Sequence, residues 1–124
     1  MAPFSPPPDF GLDSPPGPIA RQLALTVTSR VYAQFPELDS RYGPSGREKA
    51  DRDDAYLVQW AIDAARFGSA STFLRNVRWL ADVLQARQFP AGVFDRTLEI
   101  VRETLAESGE VDAAALALVF DTRG

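Results

Sequence analysis

The sequence predicts an all-α fold, and three observations support this. Apolar residues recur every three or four positions in several segments. No segment alternates between apolar and polar residues for long enough to form a strand. The helical segments differ in length and have short connections, which favours a crossed-helix, globin-like arrangement of about five to six helices over a regular bundle. At 124 residues, the chain is large enough for one such domain and too small for two.

The N-terminal segment is rich in proline. Seven of the ten prolines fall in the first 18 residues, where each removes a backbone donor and disfavours helix in the residue before it. We therefore expect residues 1–18 to form an extended arm in front of a helical domain over residues 19–124. Phe4, Phe10 and Leu12 would let the arm lie along an apolar groove of its own domain or of a partner, and a disordered tail is the alternative.

The first helix is predicted to begin at Ile19, with Pro18 in its first turn, and to stop at Pro36. Apolar residues recur every four positions from residue 19 to residue 31, which is the spacing of one helix face. We expect a short connection to follow through residues 42–44.

The second helix is predicted to start at a capping box. Ser45 and Glu48 have the spacing at which two side chains satisfy free N–H groups of a first helical turn. This helix should end near Gly68.

Three further helices complete the predicted domain. The third begins beyond Ser71 and stops before Pro90, and the fourth covers residues 93–105 before Gly109 breaks it. A short, alanine-rich fifth helix covers residues 111–120.

The second helix carries two different faces. A small apolar stripe can pack on a neighbouring helix: Ala50, Leu57, Ala61 and Ala64. A second stripe mixes charges with aromatic rings: Lys49, Arg52, Asp53, Tyr56 and Trp60. Charges are costly to bury against plain hydrocarbon, so the mixed stripe suits a flat, polar, partly charged ligand. The alternative is that Arg52 and Asp53 are solvated surface charges and that the two rings belong to the core.

Composition excludes several classes of function. The chain has neither cysteine nor histidine, so it cannot form a thiolate nucleophile, a disulfide or a Ser-His-Asp relay. For the same reason it cannot form a His-based metal site or ligate haem iron through His or Cys. The net charge of −4 and the scattered arginines argue against nucleic acid and anionic membranes as partners. No apolar stretch approaches a membrane span, and no signal peptide is recognisable, so we expect a cytoplasmic protein.

The sequence offers little support for catalysis. A lysine Schiff base or a carboxylate acid/base pair is compatible with the composition, but no spacing supports either. Glu99 and Glu103 are the one carboxylate pair to consider for a metal ion, and Arg102 beside them favours a solvated surface pair instead. We therefore expect a protein that is not an enzyme.

The segment from Val31 to Pro90 resembles the phycobilisome proteins, the globin-fold bilin carriers that include phycocyanin and allophycocyanin. Val31-Tyr32 with Phe35-Pro36 is similar to the family's Val-Tyr-x-x-Phe-Pro segment. The run from Lys49 to Tyr56 is similar to its Lys-Cys-x-Arg-Asp-x-x-Tyr motif. Gly68 falls where the family has an Ala-Gly-Asp turn, and the resemblance covers about half of the chain.

Two departures shape what the resemblance implies. Ala50 stands where the family has the cysteine that forms a thioether bond to the bilin, so a bilin here would be held without a covalent bond. The proline-rich arm replaces the helical hairpin through which phycobiliproteins pair. The chain is therefore most similar to the bilin biosynthesis-associated globins, which are cysteine-poor relatives of the light-harvesting proteins.

The resemblance also implies roles for single residues. Asp53 would accept the pyrrole N–H groups of a linear tetrapyrrole, and Arg52 would bind a propionate. Lys49 could reach a second propionate, and Tyr56 and Trp60 would supply flat contact along the conjugated system.

Three functions follow from these observations. The first is non-covalent binding of biliverdin or a reduced bilin, such as a phycocyanobilin-type pigment, as a carrier or accessory protein in bilin biosynthesis. Its partners would be haem oxygenase or a bilin reductase, and a homodimer is compatible with the family. The second is a helical sensory or protein-interaction domain without a ligand. The third, a bilin lyase or isomerase, lacks an acid/base constellation beyond Asp53 and Tyr56.

Overall fold

The computed structural model describes residues 15–121, and within that range the protein is all-helical with no strand. Its five helices are α1 (Pro18–Gln34), α2 (Glu37–Phe67), α3 (Ala70–Ala86), α4 (Ala91–Ser108) and α5 (Ala113–Asp121). The predicted fold class of five to six helices is confirmed at this level, whereas the globin-like arrangement stays a prediction. Most of the predicted arm, residues 1–14, lies outside the described residues. None of the five helices is both long enough and apolar enough to cross a membrane.

Most helix ends lie where turn-forming residues predict them. Pro18 occupies the first turn of α1, and α3 ends four residues before Pro90. Gly68 and Gly109 end α2 and α4 with φ angles of 67° and 73°, a left-handed conformation that glycine adopts without the Cβ clash of other residues. The predicted ends of these helices are therefore correct to within a few residues.

The second helix resumes within one residue of its predicted start, but the predicted capping box does not form, and a helical segment that was not predicted precedes it. Helical structure already begins at Glu37 and continues through a kink at Gly43, whose φ of 67° and ψ of −170° are not helical. Gly43 therefore stands at the capping position of the longer segment, and Pro44 follows it in the first turn, where its missing N–H costs nothing. Ser45 lies inside the helix and does not begin it, so no capping box forms there.

Helix α2 is the central element of the fold and contacts each of the other four helices. Its predicted apolar stripe is buried at Leu57, Ala61 and Ala64, with at most 3% of each residue exposed. Phe73 and Leu80 of α3 are equally buried and belong to the same core. This packing fixes the direction in which the neighbouring polar residues Lys49, Asp53 and Asp54 of α2 face.

Arginine side chains join α1 to α4 at the surface. Arg30 of α1 binds Glu107 of α4, with the shorter N–O distance at 2.6 Å.

Arg96 lies between the two glutamates that the sequence offered for a metal ion, with its Nη1 at 3.2 Å from Glu99 and 3.1 Å from Glu103. These carboxylates therefore form surface ion pairs with arginine, and residues 15–121 contain no group of three acidic side chains placed to hold a metal.

Candidate functional site

A cavity of about 230 Å³ lies where α1, α2, α3 and α4 meet, on the kinked half of α2. Most of its wall is apolar, from Val31, Leu38, Leu57, Leu80, Leu84 and Phe94. Its polar lining comes from Tyr32, Tyr42, Lys49, Asp53, Asp54, Arg87 and Thr97. A mainly apolar cavity with a few polar groups of both charges has the general composition of a small-molecule site.

One face of α2 forms the floor of this cavity. The residues of that face lie at offsets of 0, 3, 4, 7, 8 and 11 from the first: Gly46, Lys49, Ala50, Asp53, Asp54 and Leu57. Such offsets place side chains on one side of an α-helix. The floor is therefore rotated from the predicted mixed stripe toward the small apolar stripe, and it takes residues from both.

Asp53 is the carboxylate that the sequence singled out, and it lines the cavity. Only 15% of its side chain is exposed, and its Oδ1 is buried and accepts no hydrogen bond from the described residues. The Nε of Arg52 lies 3.6 Å from Oδ1, and the two side chains form an ion pair. Burial raises the pKa of Asp53 to about 6, and the charges of Arg52, Arg87 and Lys49 oppose that rise.

Asp54 also lines the cavity and is more deeply buried, with 7% of the residue exposed. The Thr28 hydroxyl on α1 donates a hydrogen bond of 2.7 Å to its Oδ2. Burial raises the pKa of Asp54 to about 8; the Thr28 hydrogen bond lowers it, and the neighbouring charges of Asp53 and Asp51 raise it further. At neutral pH, Asp54 is therefore mostly protonated while Asp53 is mostly ionised, so the two adjacent carboxyl groups present different chemistry.

The connection from α3 to α4 closes one side of the cavity. The N–H of Phe89 donates to the carbonyl of Leu84, and the N–H of Gln88 donates to that of Gln85, so the helix ends in a Schellman motif. Gln88 occupies the left-handed position of that motif with φ 61°, where glycine is usual. This turn directs both of its flanking residues, Arg87 and Phe89, to the cavity.

The kink in α2 brings the short segment before it against the cavity. Tyr42 lies 5.8 Å from Phe89, measured between ring centroids, and its hydroxyl oxygen is buried without a hydrogen-bond partner among residues 15–121. Gly46 lies one turn further along α2, and a Cβ atom there would overlap the Cβ of Tyr42. The position of Tyr42 therefore depends on glycine at residue 46.

The structure brings together two of the five predicted site residues. Lys49 and Asp53 both line the cavity. Arg52 is half exposed and lies beside Asp53 without reaching the lining. Tyr56 and Trp60 pack on each other with ring centroids 6.0 Å apart, but neither ring lines this cavity.

Sequence reasoning missed most of the polar lining. Asp54 falls outside the predicted stripe, although it lies on the same helix face as Gly46 and Ala50, and that pattern was visible in the sequence. Tyr32 precedes the predicted stop of the first helix, and it belongs to a motif that carried the family resemblance. Arg87 and Phe89 gave no signal, because only tertiary packing brings the end of α3 over α2.

No protein-family model, curated protein or solved structure significantly matches the chain.

Proposed function

We propose that this chain is a non-enzymatic binding protein that holds a linear tetrapyrrole, biliverdin or a reduced bilin, without a covalent bond. It would serve as a carrier or an accessory protein for the enzymes that make the pigment, such as haem oxygenase or a bilin reductase. The pyrrole N–H groups would donate to the carboxylate of Asp53. The propionate groups would pair with cations around the cavity.

The observation that carries this proposal is the buried oxygen of Asp53. An ionised carboxylate beside an apolar cavity is costly unless a donor completes it, and Oδ1 receives no hydrogen bond from the described residues. A conjugated pyrrole system supplies N–H donors and apolar ring surface together. Arg52 forms an ion pair with this carboxylate, with its Nε 3.6 Å from Oδ1, and its charge favours the ionised form that would accept from a pyrrole N–H.

The surroundings of Asp53 add two further points of support. Ala50, at the position of the family's tethering cysteine, lines the same cavity, so a pigment on Asp53 would lie beside this position. Lys49 and Arg87 also line the cavity, and two cations suit the two propionates of a bilin.

The size of the cavity limits how much of the pigment it can enclose. Pockets that surround drug-sized ligands occupy roughly 300–1,000 Å³, and this cavity has about 230 Å³. It therefore encloses part of a four-ring ligand and leaves the remainder outside. Tyr56 and Trp60 do not line the cavity and have no assigned role in this binding mode.

Absorption spectroscopy of the purified protein titrated with biliverdin tests the proposal. We expect a narrowed, red-shifted pigment band that saturates with protein concentration. Replacing Asp53 by Asn removes the charge and keeps the shape, so affinity should fall about 10- to 100-fold, the range for one hydrogen bond to a charged group. The matched control is Asp82→Asn, which makes the same change at an exposed position on α3.

The spectra also separate this function from its alternatives. A pigment spectrum that is unchanged by the protein would reject bilin binding and leave the ligand-free interaction domain. An equal loss of affinity in both variants would show that Asp53 has no special role. Chemical conversion of the pigment would instead indicate a lyase or an isomerase.

A further inference from the structure

The cavity also constrains the chemical class of molecule that would fill it completely. An apolar cavity of roughly 150 Å³ is enough to bind benzene. The cavity on α2, at about 230 Å³, is roughly one and a half times as large. Its walls are mainly leucine, valine and phenylalanine side chains. A planar ligand of two fused rings therefore matches the volume and the apolar walls.

The polar lining makes demands of its own. The Oδ1 of Asp53 and the hydroxyl oxygen of Tyr42 are both buried without a hydrogen-bond partner among the described residues. A ligand that fills the cavity should therefore offer one donor to the carboxylate and one acceptor to the hydroxyl.

The charge of the lining favours an anion. Lys49 and Arg87 contribute two positive charges, and Asp53 contributes one negative charge at neutral pH. Asp54 adds little negative charge there, because burial keeps it mostly protonated. A ligand that carries one negative charge would balance the lining.

We propose that the cavity selects a two-ring nitrogen heteroaromatic with a ring N–H and a carboxylate, the class of the indole carboxylates. This inference rests on the proposed function only in taking the cavity as the ligand site. The ring N–H would donate to Asp53, and the carboxylate would accept from Tyr42 and pair with Lys49 or Arg87. The fused rings would pack on the apolar walls.

Isothermal titration calorimetry with three closely related probes tests each demand separately. Indole-3-acetate carries the N–H and the carboxylate. 1-Methylindole-3-acetate keeps the anion and lacks the N–H donor, and it should bind about tenfold more weakly or worse. Tryptamine keeps the N–H and replaces the anion by a cation, and it should bind more weakly still, because it meets Lys49 and Arg87 with like charge.

Two variants connect these preferences to named residues. In Asp53→Asn, the preference for indole-3-acetate over its N-methyl analogue should shrink, because a neutral amide accepts a weaker hydrogen bond. In Lys49→Gln, the preference for indole-3-acetate over tryptamine should shrink in the same way. Asp82→Asn and Arg78→Gln make the matched changes at exposed positions of α3 and should leave both ratios unchanged.

The outcomes keep this inference apart from the proposed function. Equal affinities for indole-3-acetate and its N-methyl analogue, or no heat with either at millimolar concentration, would overturn the ligand class even if biliverdin binds. Selective indole binding with an unchanged biliverdin spectrum would support the ligand class and reject the bilin. If Asp53→Asn does not fold, as judged by circular dichroism, the three probes on the unaltered protein still decide the matter.

Discussion

The buried pair of Asp54 and Thr28 gives the most sharply defined prediction of stability. Burial raises the pKa of Asp54 from an ordinary 3.8 to about 8 in the folded protein. Between pH 3.8 and about 8, Asp54 therefore holds a proton in the folded state that it has already released in the unfolded chain. A group of this kind favours folding fully below pH 3.8, and its contribution is lost progressively as pH rises toward 8. Replacing Asp54 by Asn removes the titration and keeps an oxygen that can accept from Thr28.

The magnitude follows from proton linkage. When the folded state binds one more proton than the unfolded state, the free energy of unfolding falls by about 1.4 kcal/mol per pH unit. Between pH 6.5 and 7.5, Asp54 should therefore cost the protein about 1 kcal/mol of stability, with only a small addition from Asp53. The chain has no histidine, so no other side chain with an ordinary pKa titrates in this window.

Urea unfolding followed by circular dichroism at several pH values between 6 and 8 measures this slope. The unaltered protein should lose stability with rising pH, whereas Asp54→Asn should show a nearly flat profile and greater stability at pH 8. Asp82→Asn should retain the slope of the unaltered protein, because that side chain is exposed. Parallel profiles for the unaltered protein and Asp54→Asn would refute the assignment of a buried, protonated carboxyl.

Two further predictions concern the shape of the cavity. Gly46→Ala should lower the free energy of unfolding by about 1–3 kcal/mol, because the new Cβ overlaps Tyr42. Gly92→Ala is the matched control: its new Cβ would have no neighbouring atom within 4 Å, so its free energy of unfolding should not change. Equal urea midpoints for the two variants would contradict this prediction. Ala50→Cys introduces the only cysteine, and saturating biliverdin should slow its maleimide labelling several-fold, as measured by mass spectrometry. Ala106→Cys on the exposed face of α4 should react at the same rate with and without pigment, and protection at both positions would contradict a specific site.

Much of the helical framework could be predicted from the sequence because its signals are local. Turn-forming glycines and prolines set the ends of the helices, and the four-residue recurrence of apolar side chains sets the buried face. The break in α2 lies where a connection is predicted, but the helical segment before it could not be predicted in this way. Gly43 and Pro44 have the composition of a connection, whereas Leu38 and Tyr42 of the preceding segment line the cavity, a tertiary contact that local signals do not reveal.

The candidate site could be predicted only in part, for a geometric reason. A helix face read from sequence has the correct period but no fixed direction, since the direction depends on which helices pack against it. The mixed stripe was centred on Asp53, whereas α1, α3 and α4 place the cavity nearer Ala50. Lys49 and Asp53 belong both to the predicted mixed stripe and to the floor of the cavity. At 1.5 Å per residue, Trp60 lies about 16 Å along the helix axis from Lys49, and it does not line the cavity.

The proposed binding of a linear tetrapyrrole depends on the ionised carboxylate of Asp53 in the cavity on α2. Its most direct test is the affinity for biliverdin between pH 5 and 7. Asp54, the neighbouring carboxyl group, stays mostly protonated over this range. The unaltered protein should bind biliverdin up to about tenfold more weakly at pH 5 than at pH 7, because Asp53, with a pKa of about 6, becomes protonated. The affinity of Asp53→Asn should be lower and should not change with pH. Identical pH profiles for the two proteins would contradict this role of Asp53.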